Sequence, residues 1–68
     1  MISEKPKFKF SQYVKVKNHP FYENCQGYIE DYRQTFNSMG TLIRRHYSVR
    51  LVYGNVIVEF NEIDLELS

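Results

Sequence analysis

The chain has 68 residues, a formal net charge of +1 at pH 7, one cysteine and 16% aromatic residues. This length leaves room for one domain, and a single cysteine excludes an internal disulfide and a cysteine-rich zinc site. The near-neutral charge differs from the strongly basic balance of obvious nucleic-acid-binding domains. The polar N-terminus lacks the apolar region of a signal peptide, and no apolar run is long enough to span a bilayer. We therefore expect a cytoplasmic protein with no membrane association.

Residues 1–7 are predicted to be a flexible segment, and residues 8–68 are predicted to form one domain. Alanine is absent, whereas β-branched and aromatic residues are frequent, and this composition favours strands over helices. The first strand is predicted at Phe8–Lys17, where apolar and lysine side chains alternate with the period of a half-buried strand. The residues predicted to point inward from this strand are Phe10, Val14 and Val16.

The segment Asn18–Gln26 has no apolar periodicity and contains Pro20, so we expect a long loop there. A second strand is predicted at Gly27–Phe36, with Ile29 pointing inward. The position of Tyr32 in this strand does not match the alternation set by Ile29, which predicts a β-bulge or a twist between them.

The second half of the chain is predicted to contain three further strands separated by tight turns. Turns are expected at Asn37–Gly40 and Tyr53–Asn55, between a third strand at Thr41–Val52 and a fourth at Val56–Phe60. One helical turn at Asn61–Asp64 leads into a short fifth strand. The residues predicted to point inward from these three strands are Tyr47, Val49, Leu51, Val56, Val58, Phe60, Leu65 and Leu67.

This order of elements resembles a Src-homology-3-like barrel, in particular its Kyrpides-Ouzounis-Woese (KOW)-like branch. The resemblance rests on Val14–Val16 before the loop, Gly27–Ile29 after it and the closing segment Phe60–Leu67. It implies an all-β fold, a single five-stranded barrel with a short helical turn before the last strand.

Charges are distributed unevenly along the chain. Lysines concentrate near the start and acidic residues near the end: Lys5, Lys7, Lys9, Lys15 and Lys17 against Glu59, Glu62, Asp64 and Glu66. The lysines by themselves suggest a basic arm for nucleic acid. However, terminal strands lie side by side in the fold that the chain resembles, so we favour cross-strand ion pairs between the two groups.

The aromatic loop is the first candidate binding site. Its residues are His19, Phe21 and Tyr22, at the place where Src-homology-3-like barrels gather rings to hold a peptide, a methylated amine or a nucleobase. The alternative is that Phe21 or Tyr22 folds down over the core, because large aromatic side chains tend to be buried.

The hairpin between the second and third strands is the second candidate site. It carries Arg44, Arg45 and His46 next to two apolar residues, and arginine is enriched at binding hot spots. The alternative is a solvated hairpin with ordinary surface charge.

Catalytic, metal and cofactor sites are not expected. His19, Cys25 and His46 do not have the spacing of a zinc site, and there is no glycine-rich phosphate loop. A lone cysteine in a short loop is more often inert than nucleophilic.

Three functions fit the sequence. We favour a non-enzymatic protein-binding adaptor or inhibitor that docks on a larger protein complex; the composition also fits the AT-rich genomes of many phages and low-GC bacteria. The alternative is a KOW-like barrel that contacts the DNA or RNA backbone through its arginines, namely Arg33, Arg44, Arg45 and Arg50. A second alternative is a structural assembly subunit, in which the lysine-rich first strand and the short last strand leave an edge open for another chain.

Overall fold

The computed structural model describes residues 5–68, which form five antiparallel β-strands and one short 3₁₀ turn. The elements are β1 (Tyr13–Val16), β2 (Gln26–Phe36), β3 (Leu42–Leu51), β4 (Ile57–Asn61), the 3₁₀ turn (Glu62–Asp64) and β5 (Leu65–Leu67). The predicted all-β class and the helical turn before the last strand are confirmed. Residues 1–4, most of the segment predicted to be flexible, lie outside the described residues. No helix within residues 5–68 is long and apolar enough to cross a membrane.

The five strands form one sheet in the order β4-β3-β2-β1-β5. The two longest strands, β2 and β3, pair along its centre, and β4 and β5 are its outer strands. The strand pairing within residues 5–68 does not close this sheet into a barrel. The first strand and the short last strand were expected to leave an edge open. For the first strand this is wrong, because β1 lies between β2 and β5. The short last strand, β5, is an outer strand.

The first strand is shorter than predicted because the chain turns immediately before it. Ser11 adopts a positive φ of 66°, and the N–H of Gln12 donates to the carbonyl oxygen of Lys9 at 3.1 Å. Phe8 and Phe10 therefore lie before the strand, where strand alternation does not apply, and Phe8 is buried whereas Phe10 is exposed. The prediction that Phe10 points inward is therefore wrong.

A core of nine buried hydrophobic residues covers one face of the sheet. Most of the predicted inward positions are confirmed: Val14, Val16, Ile29, Tyr47, Val49, Leu51, Phe60 and Leu65. Val56 and Leu67 were also predicted to point inward, but both are exposed. They lie next to or within the outer strands, where no further strand covers them.

A β-bulge at Glu30 changes the alternation of β2. Ile29 pairs with Val49, but Asp31 pairs with Ser48, so Glu30 is the additional residue. This confirms the predicted irregularity between Ile29 and Tyr32. Beyond the bulge, Tyr32 and Gln34 lie opposite Tyr47 and Arg45 and share the inner face with them.

Two glycines occupy positions that a larger side chain would disfavour. Gly27 lies where β2 passes close to β3, and a Cβ there would overlap the carbonyl oxygen of Arg50 and approach Cγ1 of Val49 to 2.8 Å. Gly54 and Asn55 both adopt positive φ, 84° and 50°, in the predicted turn before β4.

The terminal strands lie side by side, as the resemblance implied. Lys15 of β1 pairs with Glu66 of β5, with Nζ and Oε2 3.3 Å apart. The other acidic residues of the last quarter do not all face lysines, because Glu59 and Glu62 form ion pairs with Arg33 and Arg45.

Candidate functional site

The end of the β2–β3 hairpin projects beyond the rest of the sheet. The register of β4 on β3 begins at His46, and that of β1 on β2 ends at Tyr28. Residues 34–45, which we call the distal hairpin, therefore have no strand beside them. The described chain measures 39 × 24 × 18 Å.

The turn at the end of the distal hairpin is held by local hydrogen bonds. The carboxamide oxygen of Asn37 accepts from the N–H groups of Met39 and Thr41 at 2.9 and 3.0 Å. The N–H of Asn37 donates to the carbonyl oxygen of Thr41 at 2.9 Å. Asparagine side chains commonly order turns in this way, so the hairpin end has a defined conformation without a partner.

Several large apolar residues lie close together in the sequence at the end of the distal hairpin. Met39 is 87% exposed, Phe36 is 54% exposed and Ile43 is 49% exposed. Phe36 is the cross-strand partner of Leu42, so these two side chains share one face. The two apolar residues noted in the sequence beside Arg44 are Leu42 and Ile43; Phe36 and Met39 were not predicted as site residues, although apolar residues on either side of a predicted turn were the signal for the whole group.

The three residues predicted as one basic surface of this hairpin are separated by the alternation of β3. Arg45 points to the inner face, and its side chain is fully buried, whereas Arg44 is exposed and His46 is half-buried. The interpretation of Arg44, Arg45 and His46 as one exposed patch is therefore wrong. Arg44 and His46 lie on the opposite, outer face of the strand.

Arg45 belongs to a buried polar network at the base of the distal hairpin. Its Nε and Nη2 donate to Oε1 of Gln34 at 3.0 and 2.7 Å. Its Nη1 donates to Oε2 of Glu62 at 3.1 Å and to the carbonyl oxygen of Lys5 at 3.0 Å. Because a buried charge is tolerated only when it is paired and hydrogen-bonded, this set of partners explains how Arg45 is accommodated.

Tyr47 and Glu62 complete this network. The hydroxyl of Tyr47 donates to Oε2 of Glu62 at 2.5 Å, and the N–H of Lys7 donates to both groups, at 3.0 and 3.1 Å. Burial, reinforced by the hydrogen bond to Glu62, raises the pKa of Tyr47 to about 12. Burial alone would raise the pKa of Glu62, but the hydrogen bonds from Tyr47, Lys7 and Arg45 outweigh it and lower that pKa. The network joins the N-terminal segment, the 3₁₀ turn and β3.

Two of the other three predicted nucleic-acid-binding arginines are also paired with carboxylates. Arg33 lies 2.9 Å from Glu59, and Arg50 lies 2.5 Å from Glu30. Arg44 forms no ion pair among residues 5–68. Arg33, Arg44, Arg45 and Arg50 are thus not one surface, because Arg45 is buried and Arg50 lies toward the opposite end of β3.

The aromatic loop divides into a packed part and an exposed part. The ring of Tyr22 meets that of Phe60 edge-on, with centroids 5.7 Å apart, and His19 contacts the same ring at 5.4 Å. Phe21 points away and is exposed, and its N–H donates to Nδ1 of His19 at 3.2 Å. Tyr22 therefore closes one end of the core, and Phe21 is the loop side chain free to contact a partner.

Few features of the described surface resemble a site for small ligands. No group of three metal-ligating side chains is present within residues 5–68. A pocket of about 220 Å³ is lined by Arg44, Arg45, Asn61, Glu62 and Ile63. A second, of about 360 Å³, lies beside Phe8, Phe10 and Tyr32.

Comparison with known proteins yielded no family model, no curated protein and no solved structure that matches the chain.

Proposed function

We propose that this protein is a small non-enzymatic binding module, an adaptor or inhibitor that docks on a larger protein complex through its distal hairpin. The observation that carries the proposal is the exposure of Phe36, Met39 and Ile43 at an ordered hairpin end that projects beyond the sheet. Grouped exposed apolar side chains of this kind are characteristic of protein interaction sites.

The fold proposed for this module is a Src-homology-3-like barrel in which the sheet curls around the core. Its support is the strand order, the bulge in β2 and the 3₁₀ turn before β5. In such a fold the hairpin between the second and third strands is a projecting element. The cytoplasmic location remains a prediction from the sequence.

The energy available from the hairpin end supports a protein partner. Full burial of one large apolar side chain contributes about 1.5–3 kcal/mol. About half or more of the surface of Phe36, Met39 and Ile43 is exposed to solvent. Burying the remainder of all three would contribute on the order of 3 kcal/mol, about 100-fold in affinity. The turn bonds of Asn37 reduce the entropy cost of ordering this segment on binding.

The charge of the hairpin end also favours a protein over a nucleic acid. Residues 34–43 contain no charged side chain. Binding through this surface is therefore expected to depend weakly on salt, in contrast to binding that neutralises phosphates.

Affinity capture with matched variants tests the proposal. The wild-type chain, a triple Ser variant (F36S/M39S/I43S) and a control double variant (F10S/L67S) are used to capture proteins from the native cell, and bound proteins are identified by mass spectrometry. Phe10 and Leu67 are apolar residues outside the distal hairpin that are 61% and 59% exposed. A partner retained by the control and lost by the triple variant is expected. Its affinity, measured by calorimetry with purified protein, should fall by about 100-fold in the triple variant. Equal capture by all three chains would contradict the proposal.

Nucleic-acid binding is the second candidate function, and one observation favours it. Arg33 and His46 are cross-strand partners, and Arg44 lies two residues from His46 on the same outer face. A two-stranded ribbon with basic side chains on one face fits the major groove. The pairing of Arg33 with Glu59 reduces the charge available. If this function holds, mobility-shift assays should detect binding at low salt, and Arg44→Gln should reduce the salt slope by about one.

A further inference from the structure

The outer edge of β4 carries backbone groups that no described residue pairs with. The N–H of Leu51 donates to the carbonyl oxygen of Val56, and the register continues with Val49 opposite Val58. Antiparallel ladders alternate, so residues 56, 58 and 60 face β3, and the N–H and C=O groups of Ile57 and Glu59 point away from it. β4 is thus a free edge of the sheet.

This edge lacks the features that usually protect an outer strand from pairing. β4 contains no lysine or proline, and its register with β3 has no bulge. Its one charged side chain, Glu59, is already bound by Arg33 at 2.9 Å. The adjacent apolar residues Val56 and Ile57 are exposed.

We propose that β4 pairs in antiparallel orientation with β4 of a second copy of this chain, around a two-fold axis at Val58. In this register the outward N–H and C=O groups of Ile57 in each copy form hydrogen bonds with those of Glu59 in the other copy. The residues on the inner face of the segment are all apolar and symmetric about the axis, Val56 facing Phe60 of the second copy and Val58 facing itself. A ten-stranded sheet results.

The charges and apolar surfaces around β4 fit this symmetry. Each Glu59 is neutralised by its own Arg33, so the two carboxylates approach without net repulsion. The two-fold also brings the turn before β4 of one copy toward the 3₁₀ turn after β4 of the other. These turns carry two of the most exposed apolar residues, Tyr53 (91%) and Ile63 (77%). The commitment to a second copy rests on this self-complementarity, which an unrelated strand need not match.

The dimer does not depend on the proposed function, since the distal hairpin extends from the opposite end of β3. It would place two binding hairpins in one particle, which raises the effective affinity for a partner with repeated sites.

Analytical ultracentrifugation over a micromolar concentration series tests the pairing. The wild-type chain should sediment as a concentration-dependent dimer of twice 8.2 kDa. Ile57→Pro removes only an outward N–H and should give a folded monomer. Val56→Lys, which would bury an ammonium group opposite Phe60, should weaken dimerisation at least about tenfold. Met39→Lys is the matched control in the distal hairpin and should remain dimeric.

A self-crosslink tests the position of the axis. Residues facing each other in a non-hydrogen-bonded antiparallel pair have Cα atoms about 4.5 Å apart, within the range of a disulfide. In a chain carrying Cys25→Ser, Val58→Cys should oxidise to a covalent dimer, whereas Glu59→Cys should not, because residue 59 faces residue 57.

Removal of the neutralising arginine provides an independent measurement. Arg33→Gln should weaken the dimer because it exposes the two Glu59 carboxylates to each other, and the double variant Arg33→Gln/Glu59→Gln should restore it. A wild-type chain that stays monomeric throughout, a dimer unaffected by Ile57→Pro and Val56→Lys, or species larger than a dimer would each overturn the proposal. Larger species would instead indicate head-to-tail pairing of β4 with β5.

Discussion

Replacing Tyr47 by phenylalanine should destabilise the protein, because its hydroxyl connects three segments of the chain. The hydroxyl donates to Glu62 at 2.5 Å and accepts from the N–H groups of Lys7 and Phe8 at 3.0 and 3.3 Å. Lys7 keeps a second acceptor in Glu62, whereas Phe8 loses its hydroxyl acceptor. A hydrogen bond to a charged group contributes about 1.5–3 kcal/mol. We expect a loss of about 2–3 kcal/mol, a decrease of roughly 10–20 °C in Tm for a domain of this size.

The same substitution should remove an alkaline component of stability. The pKa of Tyr47 rises from its ordinary 10.0 to about 12, first because of burial and second because of the bond to Glu62. A raised pKa in the folded state contributes stability that is complete below pH 10 and is lost as the pH rises toward 12. The difference corresponds to roughly 3 kcal/mol. Tyr47→Phe cannot ionise at this position and should lack this loss.

At acidic pH the stability should depend on Glu62, and it should be lost as the pH falls. The lowered pKa of Glu62 in the folded state contributes stability above the ordinary pKa of glutamate, and this stability is lost as the pH falls through the folded value. Tyr47 is one of the donors that lower that pKa. The acid loss should therefore be smaller in Tyr47→Phe than in the wild-type chain.

Urea unfolding followed by circular dichroism at pH 3, 7 and 11 measures these effects. Tyr32→Phe is the matched control, because its ring lies 5.9 Å from that of Tyr47 and its hydroxyl forms no hydrogen bond among residues 5–68. The control should stay within about 0.5 kcal/mol of the wild-type chain at pH 7. If Tyr47→Phe also stays within that range, or loses as much stability between pH 7 and 11 as the wild-type chain does, the Tyr47 hydroxyl does not have the stabilising role inferred from its hydrogen bonds.

Three further substitutions have defined expected outcomes in the same unfolding assay. Gly27→Ala should cost about 1–3 kcal/mol, because its methyl group would overlap the neighbouring strand; an unchanged urea midpoint would contradict this close approach. Tyr22→Ala should cost about 2–4 kcal/mol through its lost contact with Phe60, whereas Phe21→Ala should be nearly neutral; equal effects would mean that the two rings are placed differently. Asn37→Ala should cost about 1 kcal/mol and accelerate hydrogen exchange at the turn, as two N–H groups lose their acceptor.

The arrangement of the core could be predicted from the sequence wherever a strand is continuous. Val14 and Val16 in β1, and Tyr47, Val49 and Leu51 in β3, are buried as their alternation indicated. The reason is that period-two alternation directly reflects which face of a strand is covered. Phe10 departs from this pattern, because the turn at Ser11 precedes the strand.

The candidate site could be predicted only in part, because exposure depends on neighbours distant in the sequence. The aromatic loop contained one ring that packs on Phe60 and one that does not, and nothing local distinguishes Tyr22 from Phe21. Arg45 looked like a surface charge, yet its partners Gln34 and Glu62 are 11 and 17 residues away in the chain.

The sequence by itself therefore determined the all-β class, the order of the strands along the chain and the two hairpin turns, because these depend on local propensity and on alternation over a few residues. The tertiary structure decided which charges are paired, which rings are covered and which strand is left at an edge. Val56 illustrates the difference. Its pattern is that of an inward residue, but β4 is the last strand of the sheet and leaves it exposed. To be buried, Val56 would need a further strand or loop beside the outer edge of β4, and only the assembled sheet determines whether such a neighbour exists.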